Sequence, residues 1–262
     1  MKKYKVAEDA KPQIFLLLIA TVITIALWFI PYADYLVYPI RLFVTFVHEG
    51  SHVLAALLTG GSIESLTVSP DTSGLVMFRY NSQISQLITS SAGYLGSTAF
   101  GVLLLVMIRR AYSARIVLAA SAIFVGAMTL LFGLFAPIWN VFSVNVSFGS
   151  VAFTVVSGVL LTAGLLAIAR YASARVAQFA MSFLAVQCVL NALSDLKTVF
   201  YASSPFAGAM QTDALNMANA TGLPAVAWVL IWIGISVLMI SVGLRVYVAN
   251  QKGKQYDLPF ED

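Results

Sequence analysis

Cysteine is almost missing from this chain. Its 262 residues contain one, Cys188, which excludes an intrachain disulfide and leaves no group of thiols to hold a metal. Histidine is nearly as rare, with two. Charge is scarce as well: 10% of the residues are Asp, Glu, Lys or Arg, against roughly a quarter in an ordinary soluble domain. Hydrophobic residues make up 60%, a composition that points away from a water-soluble fold. The formal net charge of +4 comes from lysines and arginines near the ends of apolar blocks. There they can reach lipid headgroups, and they form no basic face suited to nucleic acid.

What is present is a series of apolar blocks, each long enough to cross a hydrocarbon core of about 30 Å as a helix. They fall at 14–30, 38–58, 84–108, 116–139, 151–169, 176–199 and 224–248. The expected fold is an all-α polytopic membrane protein, a bundle of about six to seven transmembrane helices. It fills residues 1–262 as a single integral membrane domain with polar tails at 1–12 and 249–262. Its partner surface is the lipid bilayer, which in a bacterium means the cell membrane. Four lysines precede the first block. That block is too long for a secretory signal and no small-residue cleavage site follows it, so it reads as an uncleaved signal anchor. These lysines favour a cytoplasmic start, whereas Arg109, Arg110, Arg115, Arg170, Arg175, Arg245, Lys252 and Lys254 favour the opposite side of a seven-span bundle. The two orientation signals compete.

One stretch has a different rhythm. From Gly60 to Tyr80, Ile63, Leu66, Val68, Leu75, Val76 and Phe78 alternate loosely with polar residues around Pro70-Asp71-Thr72-Ser73-Gly74. This predicts a β-hairpin. At membrane depth its backbone groups must be covered by protein or line a wet cavity.

The two histidines stand four apart in His48-Glu49-Gly50-Ser51-His52, an HExxH motif. On a helix, positions i and i+4 share a face, so both imidazoles can reach one metal while Glu49 projects beside it towards a bound water. Zinc suits two imidazoles and a carboxylate, with the fourth position left to water. The expected chemistry is metal-assisted amide hydrolysis, with one Zn2+ per chain and Glu49 as the catalytic general base. Three ionisable groups within five residues of an apolar segment cost too much to be casual packing. Gly50 and Ser51 are small enough to admit another helix or a substrate backbone.

A third ligand has to come from elsewhere among eleven acidic residues. Most lie in the tails, a short loop or the hairpin, which leaves Asp195 and Asp213. Asp195 is preferred. It lies in the sixth apolar block with Asn191 one turn before it, suited to hydrogen-bond a ligating carboxylate. Asp213, the alternative, reads as the cap of a short helix beginning Thr212-Asp213-Ala214.

The run from Phe46 to Gly61 around the HExxH motif resembles the site-2 protease family of intramembrane zinc metallopeptidases, in its compact branch without a PDZ domain. Ser91-Ala92-Gly93-Tyr94-Leu95-Gly96 resembles that branch's small-residue motif. Thr212-Asp213-Ala214 through Thr221-Gly222-Leu223-Pro224 and Trp228 are similar to it too. The resemblance covers about 40 to 235. It implies zinc on His48 and His52, Glu49 as base, and Asp195 as third ligand, although Leu196 stands where better-studied members carry glycine. It also implies that the hairpin lies in the membrane as an edge for an unwound substrate. The Gly93, Ser97, Gly101 stripe reads as helix packing.

The function expected is therefore proteolysis of a transmembrane or membrane-anchored protein. A catalytically silent metal-binding scaffold is the alternative. A metal or proton transporter fits less well, because its ionisable groups would be spread along a path over several helices.

Overall fold

The computed structural model describes residues 11–27, 30, 32–142, 146–203 and 212–248. The polar tails expected at the two ends lie, apart from 11–12, outside these residues. Each apolar block forms a helix, and the hairpin falls between the second and third. In chain order these are α1 (Lys11–Leu27), α2 (Ala33–Leu58), β1 (Ser62–Val68), β2 (Gly74–Arg79) and α3 (Gln83–Arg109). There follow α4 (Ala114–Ala127), which runs through a π-helical stretch at Met128–Phe135 into α5 (Ala136–Trp139), then α6 (Phe148–Tyr171) and α7 (Ala174–Ala202). The short α8 (Asp213–Thr221) and the long α9 (Ala225–Val248) complete the order.

Among the described residues, five helices are long and apolar enough to cross a membrane: α3, the continuous run Ala114–Trp139, α6, α7 and α9. The expected helical membrane bundle with its hairpin is therefore present. α2 has the length, at 26 residues, but it carries Arg41, His48, Glu49 and His52 and packs against α3, α4, α6, α7 and both strands. Breaks between the blocks are made by polar caps. Ser82, Ser147 and Ser173 each accept a hydrogen bond from the backbone N–H three residues on, at the starts of α3, α6 and α7. Those bonds satisfy donors that a helix start leaves without partners.

The π-helical stretch was not foreseen. Pro137, two residues beyond it, has no N–H and crowds the carbonyl four residues back, at Gly133, and a ladder disturbed in this way can slip to the wider register. Gly133 also lets β1 and α6 come close. A Cβ there would lie 3.0 Å from Thr154 Cγ2 and 3.7 Å from the Leu66 carbonyl oxygen.

β1 and β2 pair antiparallel, from Ser62 opposite Arg79 to Val68 opposite Gly74, with a bulge between Ile63 and Ser65. The turn is closed by Asp71, whose Oδ1 accepts from the Ser73 N–H at 3.0 Å and the Ser73 hydroxyl at 2.6 Å. β1 lies against the π-helical stretch, α5 and α6. There the Val68 N–H donates to Thr154 Oγ1 at 2.8 Å, and Asn140 Nδ2 donates to the Glu64 carbonyl at 3.3 Å. Tyr38 and Thr45 of α2 hold the tip by donating to the carbonyls of Pro70 and Thr72, at 2.7 and 2.6 Å. Protein thus covers the hairpin on the β1 side, as its depth demands, while Gly74 to Phe78 of β2 line a cavity.

Candidate metal centre

That cavity has a volume of about 960 Å³. α2 contributes Arg41, Thr45, His48, Glu49 and His52 to its wall, steps of three, four and one that keep to one helical face. The other side of α2 buries Phe43, Phe46, Val47 and Val53 in the larger hydrophobic core. α7 supplies a second stripe, Gln187, Asn191, Ser194, Asp195 and Thr198. Its steps repeat those of α2.

His48 Nε2 and His52 Nε2 lie 3.1 Å apart. His52 Nδ1 is 2.7 Å from the carbonyl oxygen of Thr89 on α3. A carbonyl only accepts, so Nδ1 carries the ring proton and Nε2 is left with a free lone pair. Asp213 Oδ2 is 3.3 Å from His52 Nε2 and 3.6 Å from His48 Nε2. His48, His52 and Asp213 thereby form the one group of at least three His, Cys, Asp or Glu found among the described residues with ligand atoms all within 4.8 Å of one another.

Asp213 reaches this place because it is not the cap of its helix. Thr212 takes that role, accepting from the Leu215 N–H at 3.2 Å, and the following carboxylate is released towards the imidazoles. Gln83 Nε2 ties α8 to the start of α3 by donating to the Ala220 carbonyl at 2.6 Å. Burial pushes the Asp213 carboxyl up, whereas protonated imidazoles at His52 and His48 would hold it below the ordinary carboxylate range.

Gly93 of α3 forms a close wall of the centre. A Cβ on it would meet the Nε2 atoms of both histidines, so the space is kept open by the lack of a side chain. Tyr94 sets its ring edge-on to His48, with centroids 4.7 Å apart and planes at 83°. Phe78 of β2 stacks on His52 at 6.5 Å. Glu49 is buried, 5% exposed, and lines the same cavity with its carboxylate against Gly74, where a Cβ would meet it.

Over residues 18–243 the chain matches the family described as Peptidase M50B-like. The chain belongs to that family. Membership agrees with the site-2 protease resemblance of the sequence and makes this Peptidase M50B-like chain, in general terms, an intramembrane metallopeptidase embedded in a lipid bilayer. No curated protein and no solved structure shows significant similarity to it.

Two expectations for the M50B-like site meet a different arrangement. Asp195 lines the cavity and lies within electrostatic reach of His48 and Arg41, but it is not in the group of converging donors. Asn191 does not turn forward to it. Its Nδ2 donates back along α7 to the Gln187 carbonyl at 2.9 Å and to Gln187 Oε1 at 3.2 Å. Gly50 and Ser51 admit neighbouring helices: Gly50 faces Phe124 of α4 and Met128 of the π-helical stretch, and Ser51 faces Gly96 of α3. The sequence reading missed Gly93, Tyr94 and the Thr89 carbonyl as parts of the site. The first two were visible only as members of a small-residue motif.

Proposed function

We propose that this protein is a zinc metalloendopeptidase that cleaves transmembrane or membrane-anchored proteins inside its own cavity. One Zn2+ is held by His48, His52 and Asp213, and Glu49 is the general base. The observation that carries this reading is the convergence of two imidazole nitrogens and a carboxylate oxygen within 4.8 Å in a cavity that Glu49 also lines. The donor set fits zinc in type and number, and Gly93 leaves room where any side chain would intrude. Asp213 takes the third position, and Asp195 serves as cavity wall.

Bound there, zinc supplies Lewis acidity to a peptide carbonyl and lowers the pKa of an attacking water. Glu49 accepts a proton from that water as its oxygen bonds to the carbonyl carbon. It returns the proton to the amide nitrogen as the C–N bond breaks. β2 gives the substrate a strand to pair with. It belongs to a two-stranded sheet, its partner is covered by α5 and α6, and its own residues face the cavity.

The test is Glu49→Gln in the detergent-purified protein, followed by zinc analysis and cleavage of single-span reporter proteins in reconstituted vesicles. About one zinc per chain with cleavage abolished is expected. Cleavage that survives the substitution refutes the mechanism, and zinc without cleavage in the unaltered protein identifies a metal-binding scaffold.

A further inference from the structure

Amide hydrolysis concentrates negative charge on the former carbonyl oxygen, and a hydrogen-bond donor preset for that oxygen is a large part of catalysis in such sites. Most donors lining this cavity are already engaged. The Thr45 hydroxyl donates to the Thr72 carbonyl, the Gln187 amide to Thr24, the Asn191 amide to Gln187 and the Thr198 hydroxyl to the Ser194 carbonyl. The Ser73 hydroxyl donates to Asp71. Tyr80 shares its hydroxyl with Ser90 at 3.5 Å.

Tyr94 is different. It is 7% exposed, it lines the cavity, and its hydroxyl has no hydrogen-bond partner among the described residues. Its ring touches a proposed metal ligand, and its hydroxyl lies within electrostatic reach of Asp213, Asp195 and Glu49. The residue is also held from behind. Trp232 of α9 stacks on it, with centroids 5.2 Å apart and planes at 25°, and Trp232 Nε1 donates to Ser91 Oγ at 3.1 Å. A rigidly seated ring with an uncommitted hydroxyl is a preorganised donor, and a phenol retains its proton at neutral pH.

We propose that Tyr94 is a catalytic residue whose hydroxyl donates a hydrogen bond to the oxygen that becomes an oxyanion when a peptide carbonyl is attacked at this centre. The inference rests on the metallopeptidase reading above. As the water oxygen bonds to the carbonyl carbon, the C=O π pair moves onto oxygen, which accepts from Tyr94. The pair returns when the C–N bond breaks and nitrogen takes the proton held by Glu49. Tyr94 keeps its own proton throughout. Being neutral, it serves among three carboxylates without forming an ion pair that would close the site.

The test needs no substrate. Zinc-loaded full-length protein and its Tyr94→Phe variant are titrated with acetohydroxamate, a chelating ligand whose carbonyl oxygen stands in for the oxyanion. Zinc content and melting temperature are measured alongside. Equal zinc with affinity for acetohydroxamate lowered about 10- to 100-fold is expected for loss of a charge-assisted hydrogen bond. Equal affinity in the two proteins, or no binding to either, overturns the proposal while leaving the metal site intact. Loss of zinc in Tyr94→Phe also overturns it, because the ring would then be acting as support for His48. Absence of zinc from the unaltered protein instead sinks the metallopeptidase reading itself.

Discussion

Replacing Asp213 and Asp195 in turn by asparagine separates two assignments of the third ligand. Asparagine keeps the size of each side chain and removes its charge. Asp213 Oδ2 stands 3.3 and 3.6 Å from the two imidazole nitrogens, while Asp195 is outside the donor group. Four-ligand structural zinc sites in small peptides bind with about 10–16 kcal/mol, or roughly 3 kcal/mol for each ligand if it is shared evenly. At 1.4 kcal/mol per decade, Asp213→Asn should weaken zinc about 100-fold. Asp195→Asn acts only through the field in the cavity and should change affinity by less than about threefold. Competition against a fluorescent chelator in detergent gives both affinities, with elemental analysis for stoichiometry and thermal melts to confirm folding. Zinc lost from Asp195→Asn and kept in Asp213→Asn would refute the reasoning and return the ligand to the sixth apolar block.

Gly93→Ala should abolish zinc binding with little loss of fold, because the added methyl falls on the two imidazole nitrogens proposed to hold the metal; zinc affinity unchanged beside a normal melt would show that the wall can give. Thr154→Val should destabilise the hairpin by about 1–3 kcal/mol, since Thr154 is fully buried and its loss leaves the Val68 N–H without the bond now made at 2.8 Å. Hydrogen exchange should be faster along β1 in that variant, and unchanged exchange would count against the account of how the hairpin is covered.

The helices were legible because each needs only its own composition: blocks of apolar residues ended by serine, glycine or proline predict a helix whatever its neighbours do. The hairpin was legible for the same local reason, as was the His48, Glu49, His52 face. Asp213 was not. Thr-Asp before a short amphipathic stretch has the local look of a cap, and its release towards His52 depends on α8 docking against the start of α3, where Gln83 meets Ala220 across 137 positions of sequence. Asn191 failed for a simpler reason. A helical residue has a neighbour one turn in each direction, and the pattern does not say whether the amide turns to Gln187 or to Asp195. A signal that was available is the pair of matching polar stripes on α2 and α7, which in an apolar chain mark two faces turned towards one wet space.

The position of β2 bears on how such a site would choose what it cuts. Gly74, its first residue, lies against the carboxylate of Glu49, and Phe78 stacks on His52. Phe78 is four positions on from Gly74, about 13 Å at the usual rise, so β2 runs past the base at one end and a histidine at the other. On the proposed reading, a substrate paired along β2 would be carried across the metal centre by strand register alone. Backbone pairing is blind to side chains, and a transmembrane helix must first unwind to offer its backbone. Ease of unwinding near the scissile bond would then weigh more in selection than the residues flanking it. The side chains that project from the substrate strand towards α7 would meet Asn191, Asp195 and Thr198, and it is there that any preference for particular residues would arise.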